Sequence, residues 1–178
     1  MTEAAAVLRD IWTGSGDRLD RRLTGLSDAE FFREPAPGCP TWTVRRDASA
    51  PSGWQIDHDF PAPDPPPVTT IAWRLVHLAN GNWIRWEHAF GPGKRMFPDL
   101  EVPGDAAGAI AYWRASREPV TAWLAGAGDA DLAAVRPTPL ADPIPAGITV
   151  RILLDEQIHH GAEIALLRDL YRAVPAPS

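Results

Sequence analysis

Cysteine is all but missing: Cys39 is the only one in 178 residues. That excludes an intrachain disulfide framework and any cysteine-rich zinc knuckle. Positive charge is in deficit, with 17 Lys and Arg against 23 Asp and Glu for a net charge of -6. A broad nucleic-acid footprint needs clustered positive charge. Here Arg18, Arg21 and Arg22 are interleaved with Asp17 and Asp20, as on a solvated helix face. No apolar run is long enough to cross a bilayer, and the start MTEAAAVLRD has no basic segment leading into an apolar one. These absences predict one domain over residues 1–178, soluble and cytoplasmic, with neither nucleic acid nor membrane as partner. Common catalytic templates are missing too. There is no G-x-S-x-G, H-E-x-x-H or C-x-x-C, and Gly126-Ala-Gly128 lacks the third glycine of a phosphate loop.

What the chain does have is helical periodicity. The strongest case is Thr149 to Val174, where Leu153, Gln157, His160, Ile164, Leu167 and Tyr171 recur at spacings of four and three. Thr149 is the expected cap, Arg168 and Arg172 suit the negative end of the helix dipole, and Pro175 is the expected stop. A first helix is predicted from about Glu3 to Leu23, weakened by Gly14-Ser15-Gly16, where small residues either loosen the helix or leave room beside a pocket. Ser27 and Glu30 form a capping-box signature for a short helix. Thr70 opens a second long helix to Phe90, and Asp105 a third to about Ala125, which Pro119 should kink or divide. Asp129 to Pro145 reads as an extended link. Nine of the nineteen prolines fall between Pro35 and Pro67, which excludes helix there. Within that stretch Thr41–Arg46 and Trp54–Phe60 alternate, predicting a small β-hairpin. The fold class is therefore all-α: a four-helix bundle with a proline-rich insert between its first two long helices.

Polar residues interrupt the apolar stripe of the last helix. Glu156 and His160 stand one turn apart on one face, and burying both demands that they pair or share a cation. His77, two turns into the second helix, is the natural third ligand if a metal is held. Two imidazoles and a carboxylate leave a coordination position open, as catalytic zinc sites do. Glu163, one turn beyond His160, can orient it from behind. His159 should face away, His88 reads as structural at a helix end, and His58 as a solvated loop residue whose arrival at the site would close it. Arg74 and Arg85 are candidate substrate-binding residues. From spacing alone, a Glu156–His160 hydrogen bond and a metal site both remain open.

The segments TIAWRLVHLANGNWIRWEH and DEQIHHGAEIALLRDLY, with GLSDAEFF after the first helix, resemble the DinB-like (YfiT-like) metal-binding four-helix-bundle superfamily. The resemblance spans all four long helices and implies metal ligands at His77, Glu156 and His160. Glutamate in place of the commoner histidine at position 156 is similar to the ligand set of mycothiol-dependent maleylpyruvate isomerases. Those enzymes carry a further C-terminal domain that contributes to their active site. The resemblance implies a divalent ion (zinc, with nickel or iron also suited) and a low-molecular-weight thiol such as mycothiol or bacillithiol, activated for S-transfer to, or isomerisation of, a small electrophile. It also implies a homodimer. A metal-dependent hydrolase using bound hydroxide and a non-catalytic metal-binding stress-response bundle are the alternatives. Eight tryptophans supply rigid apolar surface of the kind the latter would use.

Overall fold

The computed structural model describes residues 3–139 and 141–173. Four long helices carry the fold: α1 (Ala4–Leu23), α3 (Ile71–Phe90), α4 (Ala106–Gly126) and α6 (Ala146–Ala173). α3 packs against α4 and α6, and α1 packs against those same two, which closes a four-helix ring. The short helices are α2 (Asp28–Phe31) and α5 (Asp129–Ala133). Three expected caps are present: the side chains of Ser27, Thr70 and Asp105 accept from the backbone N–H groups of Glu30, Trp73 and Gly108. Each satisfies a donor that the first helical turn leaves without an internal partner.

The core lies in two apolar clusters. One gathers Leu19, Leu23, Phe31, Leu75, Val76, Trp113 and Ile164, and the other Trp12, Val120, Leu124, Val150 and Leu153. On each long helix a buried polar residue falls between them in sequence: Ser15, Asn82, Ser116 and Gln157. Gln157 Nε2 donates to Ser15 Oγ (2.6 Å) and to the Trp12 carbonyl (3.2 Å), and Asn82 Nδ2 donates to Ser116 Oγ (3.0 Å). Buried polar groups are tolerated when they find such partners.

The proline-rich insert contains the predicted hairpin in shortened form. β2 (Val44–Arg46) pairs antiparallel with β3 (Trp54–Ile56), while β1 (Thr41–Trp42) pairs in parallel with β4 (Val68–Thr69). Tertiary anchors hold it down. Trp73 Nε1 donates to the Asp57 carbonyl (2.8 Å), Thr70 Oγ1 to Thr43 Oγ1 (2.9 Å) and Ser52 Oγ to the Val102 carbonyl (2.7 Å). Gly104 lies so close under the Trp54 indole that a Cβ there would meet the ring at 2.0 Å.

Several expectations need correction. α1 runs without a break through Gly14-Ser15-Gly16, and the room left at Gly16 is filled by the Arg117 guanidinium. α4 is likewise continuous through Pro119, because Val120 and Leu124 beyond it are fully buried against the second cluster, and packing outweighs local propensity. The link after α4 contains α5 and a two-stranded pair, β5 (Val135–Arg136) with β6 (Ile144–Pro145). That pair runs straight into α6, with Ala146 N donating to the Ala134 carbonyl (2.9 Å), so the helix starts before Thr149 and buries it. Arg168 does not answer the helix dipole. It is 1% exposed and grips the Glu30 carboxylate through Nε (2.6 Å) and Nη2 (2.9 Å). Pro175 lies outside the described residues. Among those residues, no helix is long and apolar enough to cross a membrane.

Candidate metal centre

Two helices bring three ligand-type side chains together. α6 presents Glu156 and His160 one turn apart, and α3, packed alongside, presents His77. Glu156 Oε2 lies 3.1 Å from His77 Nε2 and 3.4 Å from His160 Nε2. One donor atom from each residue falls within 4.8 Å of the other two. Ligand atoms about 2.1 Å from a tetrahedral ion stand about 3.4 Å apart, so the set fits a divalent cation. Two imidazole nitrogens and a carboxylate oxygen also suit zinc, nickel or iron chemically.

The surroundings fix the rings. Trp73 stacks on His77, with centroids 4.6 Å apart and planes inclined by 9°, and meets His160 edge-on at 6.0 Å. Behind His160, Nδ1 stands 2.6 Å from Glu163 Oε2, an oxygen that also pairs with Arg74. A contact that short between an imidazole nitrogen and a carboxylate requires the hydrogen on Nδ1. Burial pushes His160 below the usual histidine value, which favours a ring with a single hydrogen. Its Nε2 faces Glu156. His160 and then His77, within hydrogen-bonding reach, hold the Glu156 carboxyl well below the usual carboxylate range. The gap of 3.4 Å between Glu156 Oε2 and His160 Nε2 is one that a shared proton or a cation can bridge.

His58 and His88 lie apart from this group, whereas His159 borders it, with Nε2 3.9 Å from Glu156 Oε2. His159 is exposed, with Nδ1 donating to the Asp155 carbonyl (2.8 Å). It forms a second possible ligand cluster with His160 and Glu163, but Arg74 already engages Glu163 there. His88 Nε2 bonds the Arg95 carbonyl (3.0 Å). His58 is exposed beside Trp42 and does not belong to the three-residue group.

A cleft of about 440 Å³ opens where the hairpin, α3 and the loop after α3 meet. His77 forms part of its wall, together with Trp73, Asn80 and residues of both loops. Neither Arg74 nor Arg85 lines it. Asn80, which helical spacing puts on the inward stripe of the second helix but to which the sequence gives no role, sits one turn beyond His77 on α3. Its buried side chain accepts from the Tyr112 hydroxyl at 3.0 Å. The one signal that could have singled it out is a polar residue on an otherwise apolar stripe.

Residues 11–164 match the sequence pattern of the DinB superfamily. The chain belongs to the DinB superfamily. Two solved structures share the DinB-like fold. One is a DinB-like protein from Bacillus cereus ATCC 10987, 18% identical with a TM-score of 0.59, covering 100% of this chain and 99% of that one. The other is a conserved protein from Enterococcus faecalis, 14% identical with a TM-score of 0.57, covering 98% and 100%. Identities this low speak for the fold alone. No curated protein matches the chain. The all-α architecture expected of a DinB-like bundle, with its small hairpin, is what the chain adopts.

Proposed function

We propose that the protein is a divalent-metal-dependent enzyme that activates a low-molecular-weight thiol for S-transfer to a small electrophile. His77, Glu156 and His160 would hold the ion, zinc in the first instance. The observation that carries the reading is the convergence of three donor atoms from two helices, one of them on His77, which lines an open cleft. A purely structural site is closed by four protein ligands, whereas three leave a position for a small molecule. Among the described residues the cluster holds three. An ion bound there would lower the pKa of a thiol or water molecule beside it and so supply a nucleophile near neutral pH.

The chain's own residues would do the rest. Glu163 keeps the His160 hydrogen on Nδ1 and its Nε2 turned inward, while Trp73 holds the His77 ring by stacking on it. Glu156 offsets one charge of a dication. Mycothiol- and bacillithiol-type thiols are the candidate co-substrates, and activity that needs no thiol would mark a hydrolase instead. Cobalt-substituted protein tests the thiol: adding one should produce sulfur-to-metal charge-transfer absorption in the near ultraviolet. Cobalt-loaded protein whose spectrum no thiol changes would remove the S-transfer version and leave water as the activated group.

A further inference from the structure

The cleft beside His77 has a recognisable chemistry. Its walls include Trp54, Ile56, Trp73, Phe97, Leu100 and Val102, and no lysine or arginine is among the described residues that line it. Its one carboxylate, Asp57, is occupied: Oδ2 accepts from Thr43 N and from Arg45 Nε, each at 2.8 Å. Asn80 is different. It is 2% exposed and lines the cleft, and the Tyr112 hydroxyl donates to its Oδ1 at 3.0 Å. Its Nδ2 donates to no atom among the described residues. Burial pushes the Tyr112 phenol up, so its hydrogen stays in place for Oδ1, and Nδ2 is the amide atom left for a ligand. A donor at the cleft wall with no protein acceptor is free to take an oxygen of a ligand.

We propose that this cleft binds an uncharged, aromatic or otherwise apolar molecule carrying a carbonyl-type acceptor, with Asn80 Nδ2 donating to that oxygen and Tyr112 as the positioning residue. The apolar walls take the hydrocarbon part, and a few placed polar groups set orientation, as in most small-molecule sites. No lysine or arginine among the described residues lines the cleft, so away from the metal position beside His77 a carboxylate would be buried without a partner, which is expensive. The inference rests on the reading above for the reaction, in which this molecule is the electrophile. For binding it rests on the cleft alone.

The test compares 2-acetylnaphthalene, 2-ethylnaphthalene and 2-naphthoate, titrated into purified protein of measured metal content and followed by tryptophan fluorescence. The ketone should bind up to about tenfold tighter than the hydrocarbon, the value of one neutral hydrogen bond, and in protein stripped of metal by a chelator the carboxylate should bind weakest. Asn80→Leu should bind ketone and hydrocarbon equally while keeping the hydrocarbon affinity. Tyr112→Phe, which leaves the amide in place but free to turn, should reduce the preference. The side-chain amide resonance of Asn80 should shift with the ketone and not with the hydrocarbon. Equal affinities in wild type, a preference that survives Asn80→Leu, tighter binding of the naphthoate to metal-stripped protein, or no binding at all would each overturn the proposal. Protein that holds no metal yet shows the preference would sink the metal reading and leave this one standing.

Discussion

Oε2 of Glu163 lies 2.6 Å from Nδ1 of His160, and Arg74 pairs with the same oxygen. The pair sets which nitrogen of the ring is free. Carboxylates placed behind metal-bound histidines fix the tautomer and raise ligand basicity, and their loss typically costs 10–100-fold in affinity. Glu163→Ala should therefore weaken zinc binding by about 10–100-fold, measured by competition with a chromophoric chelator, with helix content unchanged. Unchanged affinity would mean that packing against Trp73 alone orients the ring.

Glu87 should set an acid limit on the cleft. It is buried and accepts from the backbone N–H groups of Lys94 (3.1 Å) and Arg95 (2.9 Å), and it pairs with the Arg95 side chain. It thereby ties down the loop that brings Phe97 and Leu100 to the cleft. The Arg95 backbone N–H, above all, holds its carboxyl below the ordinary 4.5. The folded state then binds fewer protons than the unfolded chain. The stabilisation is fully present above pH 4.5 and is lost as pH falls through the lower folded value. Urea unfolding from about pH 6 to about pH 3 should show wild type losing stability faster than Glu87→Gln, which has no such carboxylate to protonate. Parallel curves would refute the linkage.

Gly16 should tolerate no side chain. A Cβ there would lie 1.7 Å from Arg117 Nη2 and 2.1 Å from Cζ, and the guanidinium is flanked by Trp12 and Trp113, with Cζ 5.3 and 5.0 Å from their ring centroids. Alanine gains about 1 kcal/mol of helix propensity, yet overpacking of this kind costs about 1–3 kcal/mol. Gly16→Ala should be net destabilising in wild type and less so, or stabilising, on an Arg117→Ala background. Equal effects in both backgrounds would show that the two sites do not interact.

Arg168 and Arg172 look alike in the sequence and should behave differently. Arg168→Ala strands the buried Glu30 carboxylate and should cost about 3–5 kcal/mol. Arg172 is exposed, and its replacement by alanine should stay within about 0.5 kcal/mol. Chemical denaturation of the two variants checks the contrast. Similar losses would mean that the Glu30–Arg168 pair carries little of the stability.

That contrast shows where sequence reading reaches and where it stops. The long helices, the caps at Ser27, Thr70 and Asp105, and the short hairpin are local properties, written as periodicity and turn chemistry within a few residues. The Glu156–His160 spacing is local in the same sense. Arg168 with Glu30, Arg117 with Gly16, and Tyr112 with Asn80 are not: each joins residues from different helices, and nothing near either partner announces the other. Thr149 misled because it has the side chain of a cap, while the strand pair before α6 had already started the helix. Gly14-Ser15-Gly16 was legible as a demand for room, but its occupant was not.

The most direct test of the account is the metal content of protein purified without an affinity tag and dialysed, wild type against His77→Ala, with helix content checked in both. His77 is the ligand that α3 must bring to the pair on α6, so its removal asks whether the convergence matters. The account predicts about one divalent ion per chain in wild type and a large loss in a folded His77→Ala protein. Equal metal in the two, or none in wild type offered zinc, would contradict it.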